Sequence, residues 1–277
     1  MTPKNILFVR SDLGTAGPAI LMHKSAIALR RRGYNVIFLS GGGEYGEVIS
    51  RDGFECFTHT ALQVGRRGVF EGFRCLWYIR SLVKKHQIDV IHSYNLLSGV
   101  WSYFSTVFMG VEVVNTVLGY GKERCFPLFQ GSLIAVSEFT KSRIYELSHW
   151  RKEVYVVYNS TLMESDLVGK PPVRNHDGFT ICCVAMITGL KGHREAIEVA
   201  HLLRKDIPGL KLILVGDGSR REECELMVAK YGMEDVVSFS GVLYDVRPAL
   251  HDADVFLHLT QFETLGIEIY RMNLAEN

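Results

Sequence analysis

The chain has 277 residues, of which 47% are hydrophobic and 22% are charged. This composition excludes a disordered or fibrous chain, and the length suits one large domain or two modest ones. A formal net charge of +1 gives no case for nucleic-acid binding. The charge is uneven, however, because residues 1–165 hold 19 basic and 13 acidic side chains whereas residues 166–277 hold 12 and 17. Opposite charge balances favour two domains with different partners.

The first half of the chain alternates short apolar strands with helices. Strands are predicted at Ile6–Val9, Val36–Leu39, Asp89–His92, Val113–Val117, Leu133–Val136 and Val154–Tyr158. Helices are predicted at Ala19–Arg32, Phe70–His86 and Glu138–Leu147. Gly33 is expected to end the first helix, and Ser137 is expected to cap the third. Strands alternating with helices in this way predict a doubly wound α/β domain with a parallel sheet.

A second α/β run follows the polar stretch 164–178, which contains paired prolines and is predicted to be a linker. Its strands are predicted at Thr180–Ala185, Leu210–Val215, Val236–Ser240 and Val255–Leu259, and its helices at His193–Lys205, Arg220–Tyr231 and Val246–His251. In the strand order 3-2-1-4-5-6, the strand Val255–Leu259 would be left uncovered at an edge. We therefore expect the second domain to be incomplete.

The cysteines show no C-x-x-C spacing, and the chain begins without a signal-peptide pattern. We therefore expect reduced, buried thiols in a cytoplasmic protein. No apolar run reaches the roughly 20 residues that span a bilayer. The longest near-candidate, Leu96–Val114, is expected to be a buried helix that leads into a strand.

A series of short motifs runs through both domains in order. The series includes Arg32-Gly33-Tyr34-Asn35-Val36, Asp89-Val90-Ile91-His92, Ala135-Val136-Ser137-Glu138, Lys191-Gly192-His193, Val215-Gly216-Asp217-Gly218 and Glu263-Thr264-Leu265-Gly266. Each motif is weak alone, but the ordered set resembles the group 1 (family 4) glycosyltransferases. The resemblance implies an α/β, GT-B-like fold of two doubly wound Rossmann-type domains, of which the second is incomplete.

This resemblance implies a retaining glycosyltransferase that moves a sugar from a nucleotide-sugar donor to a polysaccharide or lipopolysaccharide acceptor. Residues 1–164 would form the acceptor-side domain, and residues 165–277 would form a nucleotide-sugar-binding domain that is truncated relative to the family. The expected partners are the donor and a glycan or lipid-linked acceptor, without nucleic acid. Members of the family need no metal, so we expect no cofactor and no metal. The Asp252-Ala253-Asp254 sequence imitates a metal-binding D-x-D motif, but it fits a helix-to-strand turn better.

The resemblance also assigns roles to particular residues. Lys191 would neutralise the diphosphate and Glu263 would orient the sugar, and these two are the predicted catalytic residues. The predicted donor-binding residues lie in glycine-bearing turns, after a strand or at a helix start: Gly17, Gly216, Gly218, Val242, Leu243, Leu265, Gly266 and Ile267. His92, at the end of its strand, is the predicted acceptor-side residue. The structural alternatives are a solvated lysine, ordinary βα turns, a helix-capping carboxylate and a core histidine.

Four features keep open the alternative of a truncated, catalytically inactive glycosyltransferase. Met186 and Thr188 stand where the family has a loop arginine, and Leu118 stands where it has a cleft histidine. Arg271 takes the place of a second glutamate, and the second domain is short. A nucleotide-dependent epimerase or oxidoreductase is a third possibility, although the missing G-x-G-x-x-G argues against the oxidoreductase.

One predicted helix of the first domain combines basic and aromatic side chains. They are Arg66, Arg67, Phe70, Phe73, Arg74, Trp77, Tyr78, Arg80, Lys84 and Lys85. An amphipathic helix of this kind suits an anionic membrane surface, which leaves peripheral contact with the inner membrane open. A core-packed helix with a solvated basic face is the alternative.

Overall fold

The computed structural model describes residues 4–14, 17–63, 69–119, 129, 131–148, 152–159, 178–243 and 245–261. The chain divides into two compact units, Met1–Thr161 and Leu162–Asn277. The predicted linker lies outside the described residues apart from Gly178. Each unit contains its own parallel sheet, so the α/β class and the doubly wound pattern are confirmed.

The first unit contains a parallel sheet of seven strands. The strands are β1 (Asn5–Arg10), β2 (Asn35–Ser40), β3 (Cys56–Thr58), β4 (Val90–Ser93), β5 (Glu112–Val117), β6 (Ser132–Ala135) and β7 (Val154–Val156). Their order across the sheet is β3-β2-β1-β4-β5-β6-β7. The direction of winding therefore reverses between β1 and β4.

Helices cover both faces of this sheet. They are α1 (Gly17–Arg31), α2 (Tyr45–Arg51), α3 (Val69–Lys85), α4 (Leu96–Thr106) and α5 (Glu138–Ser148). One hydrophobic cluster joins α1 and α2 to side chains such as Phe8 and Phe38, and another joins α3, α4 and α5 to Leu7 and Ile37. Two clusters form because successive side chains of a strand point to opposite faces.

Local signals in the sequence explain several of these boundaries. Gly33 follows the end of α1 with a φ of 86°, the left-handed conformation that glycine adopts readily. Ser137 Oγ accepts a hydrogen bond from Thr140 N at 3.1 Å, so the predicted cap of α5 is confirmed. The sequence pattern does not predict α2 or β3, because such short elements contain too few periodic positions.

The second unit contains a parallel sheet of four strands. The strands are β8 (Thr180–Val184), β9 (Lys211–Val215), β10 (Val237–Gly241) and β11 (Val255–Phe256), in the order β10-β9-β8-β11. Helices α6 (His193–Leu203) and α7 (Arg221–Tyr231) pack on one face, and α8 (Arg247–His251) packs on the other. Strand β11 is shorter than predicted, and no strand lies beyond it among the residues that the structure describes.

Five cysteines lie within the described ranges, and none of the five forms a disulfide. Burial raises the pKa of Cys75, Cys182 and Cys183 to about 12. These thiols are therefore protonated at neutral pH and pack as small apolar side chains. No helix in the described part of the chain is long and apolar enough to cross a membrane.

Candidate active site

The second sheet has its switch point between β8 and β11, which are neighbours in space although they are distant in sequence. The chain leaves β8 toward α6, on one face of the sheet, whereas it enters β11 from α8, on the other. Ligands of doubly wound sheets bind in the crevice at the carboxyl ends of the strands beside such a point. Lys191 lies in the loop that leaves β8 there.

Backbone hydrogen bonds fix this loop, residues 185–192, against the turn that follows β9. Ile187 N donates to Asp217 O at 3.0 Å, and Arg220 N donates to Ile187 O at 3.1 Å. A Cβ atom at Gly216 would overlap Ala185 O, and one at Gly218 would overlap Ile187 O. The close approach of the two loops therefore gives both glycines a structural role, and their predicted contacts with the donor stay a prediction.

The same loop is also held against the segment that follows β11. Leu190 O accepts hydrogen bonds from Gln261 N at 3.0 Å and from Thr260 Oγ1 at 3.3 Å. Gly192 has a φ of 73° at the start of α6, and a Cβ atom there would overlap Leu259. Lys191 thus stands between two residues that both contact the 259–261 segment.

Four predicted site residues follow that segment in the sequence. They are Glu263, Leu265, Gly266 and Ile267, and all four lie outside the described residues. Their predicted roles therefore stay predictions. The structure describes the end of the preceding segment, where Gln261 N donates a hydrogen bond to Leu190 O in the loop that carries Lys191.

The end of β10 lies beside the turn that follows β9. Gly216 N donates to Gly241 O at 2.7 Å, and Gly241 adopts a φ of 67°. Val242 and Leu243 follow directly and are exposed. The predicted residues Gly216, Gly218, Val242 and Leu243 therefore share the carboxyl edge of the sheet with Lys191, at the edge where a ligand is expected.

A cleft of about 330 Å³ lies between the first turns of α6 and α7. Its lining includes His193, Arg194, Arg220 and Glu223. Arg194 pairs with Glu223 at 3.1 Å, and Arg220 pairs with the other oxygen of the same carboxylate. Burial lowers the pKa of His193, although the nearby backbone of Ala185 and the charge of Glu195 oppose that shift. The sequence analysis missed this cleft, because pairs between two helices have no characteristic spacing.

The acceptor-side residue His92 packs inside the first unit. Its ring stacks on Tyr94 at 4.3 Å between centroids and meets Phe8 edge-on at 5.3 Å. His92 Nε2 lies 2.7 Å from Thr116 Oγ1. Burial lowers the pKa of His92 to about 4, so the ring is neutral at physiological pH. These contacts are those of a packed histidine, and its role toward an acceptor stays a prediction.

Gly17 and Leu118 occupy the other predicted positions of the first unit. Gly17 is the first residue of α1, and a Cβ atom there would meet no other atom within 4 Å in the described structure. Close packing therefore does not explain this glycine. Leu118 packs against the hydrophobic cluster of α1 and α2, so an apolar side chain suits its position.

The two aspartates of the D-x-D sequence lie at a helix-to-strand junction, as expected. Asp254 Oδ2 accepts a hydrogen bond from Thr180 N at 2.8 Å, and Asp254 N donates to Thr180 O at 2.9 Å. Asp254 therefore links the beginnings of β8 and β11. Within the described ranges, no group of three or more His, Cys, Asp or Glu side chains could hold a metal ion. The expected independence of metals and cofactors stays a prediction.

Comparisons with known proteins agree with this arrangement. Residues 168–270 match the family described as "Glycosyl transferases group 1". The lipopolysaccharide core biosynthesis glycosyltransferase LpsD of Rhizobium meliloti is 24% identical over 205 residues, which are 73% of this chain and 57% of LpsD. An uncharacterized glycosyltransferase of Haemophilus influenzae is 22% identical over 96% of this chain and 77% of its own length. The chain thus spans little more than half the length of LpsD.

Solved structures extend the likeness to both units. Anabaena HepE, in complex with UDP and glucose, superposes with a TM-score of 0.80 at 16% identity, covering 98% of this chain and 78% of HepE. A glycosyltransferase of Rickettsia africae superposes with a TM-score of 0.78 at 16% identity, over 100% of this chain and 78% of the other. The fold is therefore that of the GT-B glycosyltransferases. The resemblance to their group 1 family is confirmed, with the family match on residues 168–270.

Proposed function

We propose that this chain is a retaining glycosyltransferase that moves a sugar from a nucleotide-sugar donor to a polysaccharide or lipopolysaccharide acceptor. The observation that carries the proposal is the position of Lys191 at the switch point of the second sheet, in a loop tied to the segment that precedes Glu263. The UDP and glucose in the HepE structure support the donor class. The acceptor class has its support in the name of LpsD.

In this proposal the second unit binds the donor. A departing nucleoside diphosphate gains negative charge as the bond to the sugar breaks, so a fixed cation and the free N–H groups of a helix start stabilise it. Lys191 would supply the cation, and the first turn of α6 would supply N–H groups. Glu263 would orient the sugar hydroxyls, and the backbone from Leu265 to Ile267 would hold sugar or phosphate oxygens.

The first unit would bind the acceptor, which is a glycan or a lipid-linked saccharide. His92 would serve as a neutral hydrogen-bonding group on that side, because its lowered pKa makes it a poor cation. The proposal keeps a cytoplasmic location with peripheral contact at the inner membrane. It requires neither a metal nor a further cofactor.

Calorimetric titration of the purified chain with UDP, GDP and ADP tests the donor side. One nucleotide is expected to bind, and Lys191→Ala should weaken its affinity about 10- to 150-fold, which corresponds to about 1.5–3 kcal/mol for a charge-assisted contact. Lys205→Ala is the matched control, because Lys205 follows the end of α6 on the exposed surface. Equal affinities of the two variants would show that Lys191 does not bind the diphosphate.

A catalytically inactive glycosyltransferase is the second candidate, and the packing of Leu118 favours it. This leucine lies against a hydrophobic cluster where the family has a histidine, and leucine can neither hydrogen-bond a sugar nor carry a proton. Hydrolysis of sugar nucleotides by the purified chain separates the candidates. Turnover of any donor supports the transferase, whereas nucleotide binding without turnover or transfer supports the inactive protein.

A further inference from the structure

The last residue of β1, Arg10, is a largely buried cation at the switch point of the first sheet. Strand β1 lies between β2 and β4, and the direction of winding reverses between β1 and β4. Only 15% of the Arg10 side chain is exposed. Arg10 therefore occupies the carboxyl edge of its sheet beside the switch point, which is where doubly wound folds bind ligands.

The protein itself uses only part of the hydrogen-bonding capacity of this guanidinium. Arg10 Nε donates to Asp12 O at 3.0 Å, and Nη1 donates to Tyr94 O at 3.2 Å. Nη2 lies 3.7 Å from Asp12 Oδ2, which is too far for a hydrogen bond. Because a guanidinium has five N–H groups, these two bonds leave three N–H groups, including both on Nη2, without a hydrogen bond to the described residues.

The charge of Arg10 is also incompletely neutralised. Burial lowers the pKa of Arg10, although the charge of Asp12 opposes that shift. The Asp12 carboxylate is half-exposed, and it already accepts hydrogen bonds from Ser11 Oγ at 2.9 Å and from Gly14 N at 3.4 Å. Water therefore screens the attraction between Asp12 and Arg10. A cation that is withdrawn from water but only partly paired is stabilised when an anion binds to it.

Arg10 lies on the same face of the sheet as the predicted acceptor-side residue, His92. Parallel pairing aligns Phe8 with His92, and Tyr94 N donates to Val9 O at 3.0 Å, so Arg10 lies beside Tyr94. Side chains two positions apart on a strand point to the same face. The neutral ring of His92 stacks on Tyr94 and meets Phe8 edge-on, so Arg10 supplies the charge of this group of four side chains.

We infer that Arg10 binds an anionic group, a phosphate or a carboxylate, on the saccharide acceptor. Its unused N–H groups lie on the adjacent nitrogens Nη1 and Nη2, so they can bond two oxygens of one such group. A neutral hydroxyl could accept one of these bonds but would leave the charge unpaired. The inference rests on the proposed function, because it specifies the class of acceptor that the first unit would bind.

Binding of small saccharides to the purified full chain tests this inference without a donor. Ligand-observed NMR titrations would compare glucose 6-phosphate, glucuronate and neutral glucose. At least one of the two anionic sugars is expected to bind about tenfold more tightly than glucose, with a preference that falls with added salt. A preference for glucose 6-phosphate alone would identify a phosphate, and a preference for glucuronate alone would identify a carboxylate. Equal binding of the three sugars, or binding of none, would overturn the inference.

Variants of Arg10 separate ligand binding from a structural role. Arg10→Gln should reduce the preference for the anionic sugar about tenfold, whereas Arg10→Lys should retain part of it, because lysine keeps the charge without the forked geometry. The preference is a ratio of affinities measured within each variant, so a partial loss of folded protein cancels. Lys4→Gln is the matched control, because Lys4 is exposed and precedes the opposite end of β1. Full preference in Arg10→Gln, or an equal loss in Lys4→Gln, would also overturn the inference.

Titration with UDP separates this site from the donor site. Arg10→Gln should bind UDP as the wild type does, because the proposed donor site lies in the second unit. If the variant loses affinity for UDP and for the anionic sugar equally, Arg10 belongs to the donor site and the inference is wrong. If the wild type binds no nucleotide but keeps its preference for the anionic sugar, the donor proposal fails and the role of Arg10 is supported.

Discussion

Both sheets pack the loop after their central strand against the loop of the neighbouring strand, and both use glycines to do so. In the first unit, Leu13 N donates to Gly42 O at 2.7 Å, and a Cβ atom at Gly43 would overlap the backbone of Leu13. In the second unit, Gly218 stands in the same relation to Ile187 O. The repetition shows that direct contact between two backbones sets how closely the two loops of each pair approach each other.

The two units differ on the other side of the switch point. In the first unit, side chains tie the loop after β1 to the end of β4. Arg10 Nη1 donates to Tyr94 O at 3.2 Å, and Asn95 Nδ2 donates to Ser11 Oγ at 2.8 Å. In the second unit, the corresponding hydrogen bonds come from Thr260 and Gln261 and are accepted by the backbone carbonyl of Leu190. The first unit thus uses polar side chains to close its switch point, whereas the second uses the backbone carbonyl of Leu190, the residue before Lys191.

The largest effect on stability is expected from adding a methyl group at Gly192, where the loop after β8 packs against the segment that follows β11. Gly192→Ala would place a Cβ atom on Leu259 and force alanine into a φ of 73°. We expect a loss of about 3 kcal/mol in the unfolding free energy of the second unit, measured by urea denaturation. Gly189→Ala is the control in the same loop, because a Cβ atom there has no described atom within 4 Å. Equal stability of the two variants would show that the closure is not steric.

A histidine whose pKa is lowered by burial stands beside each switch point, and His92 allows a sharper test. Because its folded pKa of about 4 lies below the unfolded value, the folded state binds this proton more weakly. Stability is then complete above about pH 6.5 and falls by about 3 kcal/mol as the pH drops through 4. His92→Gln should flatten that slope in unfolding measured between pH 4 and 7. An unchanged slope would mean that other groups, such as His193, cause the pH dependence of the stability.

A smaller effect is expected where the first unit closes its switch point with side chains. Asn95 Oδ1 accepts from Ser98 N at 2.8 Å as the cap of α4, while its Nδ2 reaches Ser11. Asn95→Ala should cost about 1–2 kcal/mol of unfolding free energy. Asn95→Ser keeps a capping oxygen but is too short for the bridge to Ser11, so it should fall between the wild type and the alanine variant. If serine matches the wild type, the bridge does not stabilise the first unit.

The order of strands and helices could be predicted from the sequence because strands of parallel sheets are buried on both faces. Such strands form continuous apolar runs, as in Leu7–Val9 and Ile181–Val184, and helices of a different period separate them. The same logic placed Lys191 after the first strand of the second unit, at the edge where the structure has it.

Contacts between distant residues could not be predicted in this way. Nothing in the sequence near Gly218 indicates that Ile187 O lies against it, and nothing near Phe108 indicates a positive φ. The predicted end of β11 was wrong for a related reason. Leu257 N still donates to Cys182 O, but the strand ends at Phe256, and Leu257 and Leu259 are apolar because they pack against the cluster of α6 and α7.

The carboxylate of Asp254 has a consequence for the alignment of the second sheet. Strand β11 pairs with β8 over two residues only, Val255 with Ile181 and Phe256 with Cys182. So short a ladder could slide by one position, which would exchange the partly buried Phe256 with the exposed Val255. Because Asp254 Oδ2 accepts a hydrogen bond from Thr180 N, the first amide of β8, it fixes the register of the two strands at their amino ends. The position of β11 is thus fixed before the chain reaches residues 259–261, which contact the loop that carries Lys191.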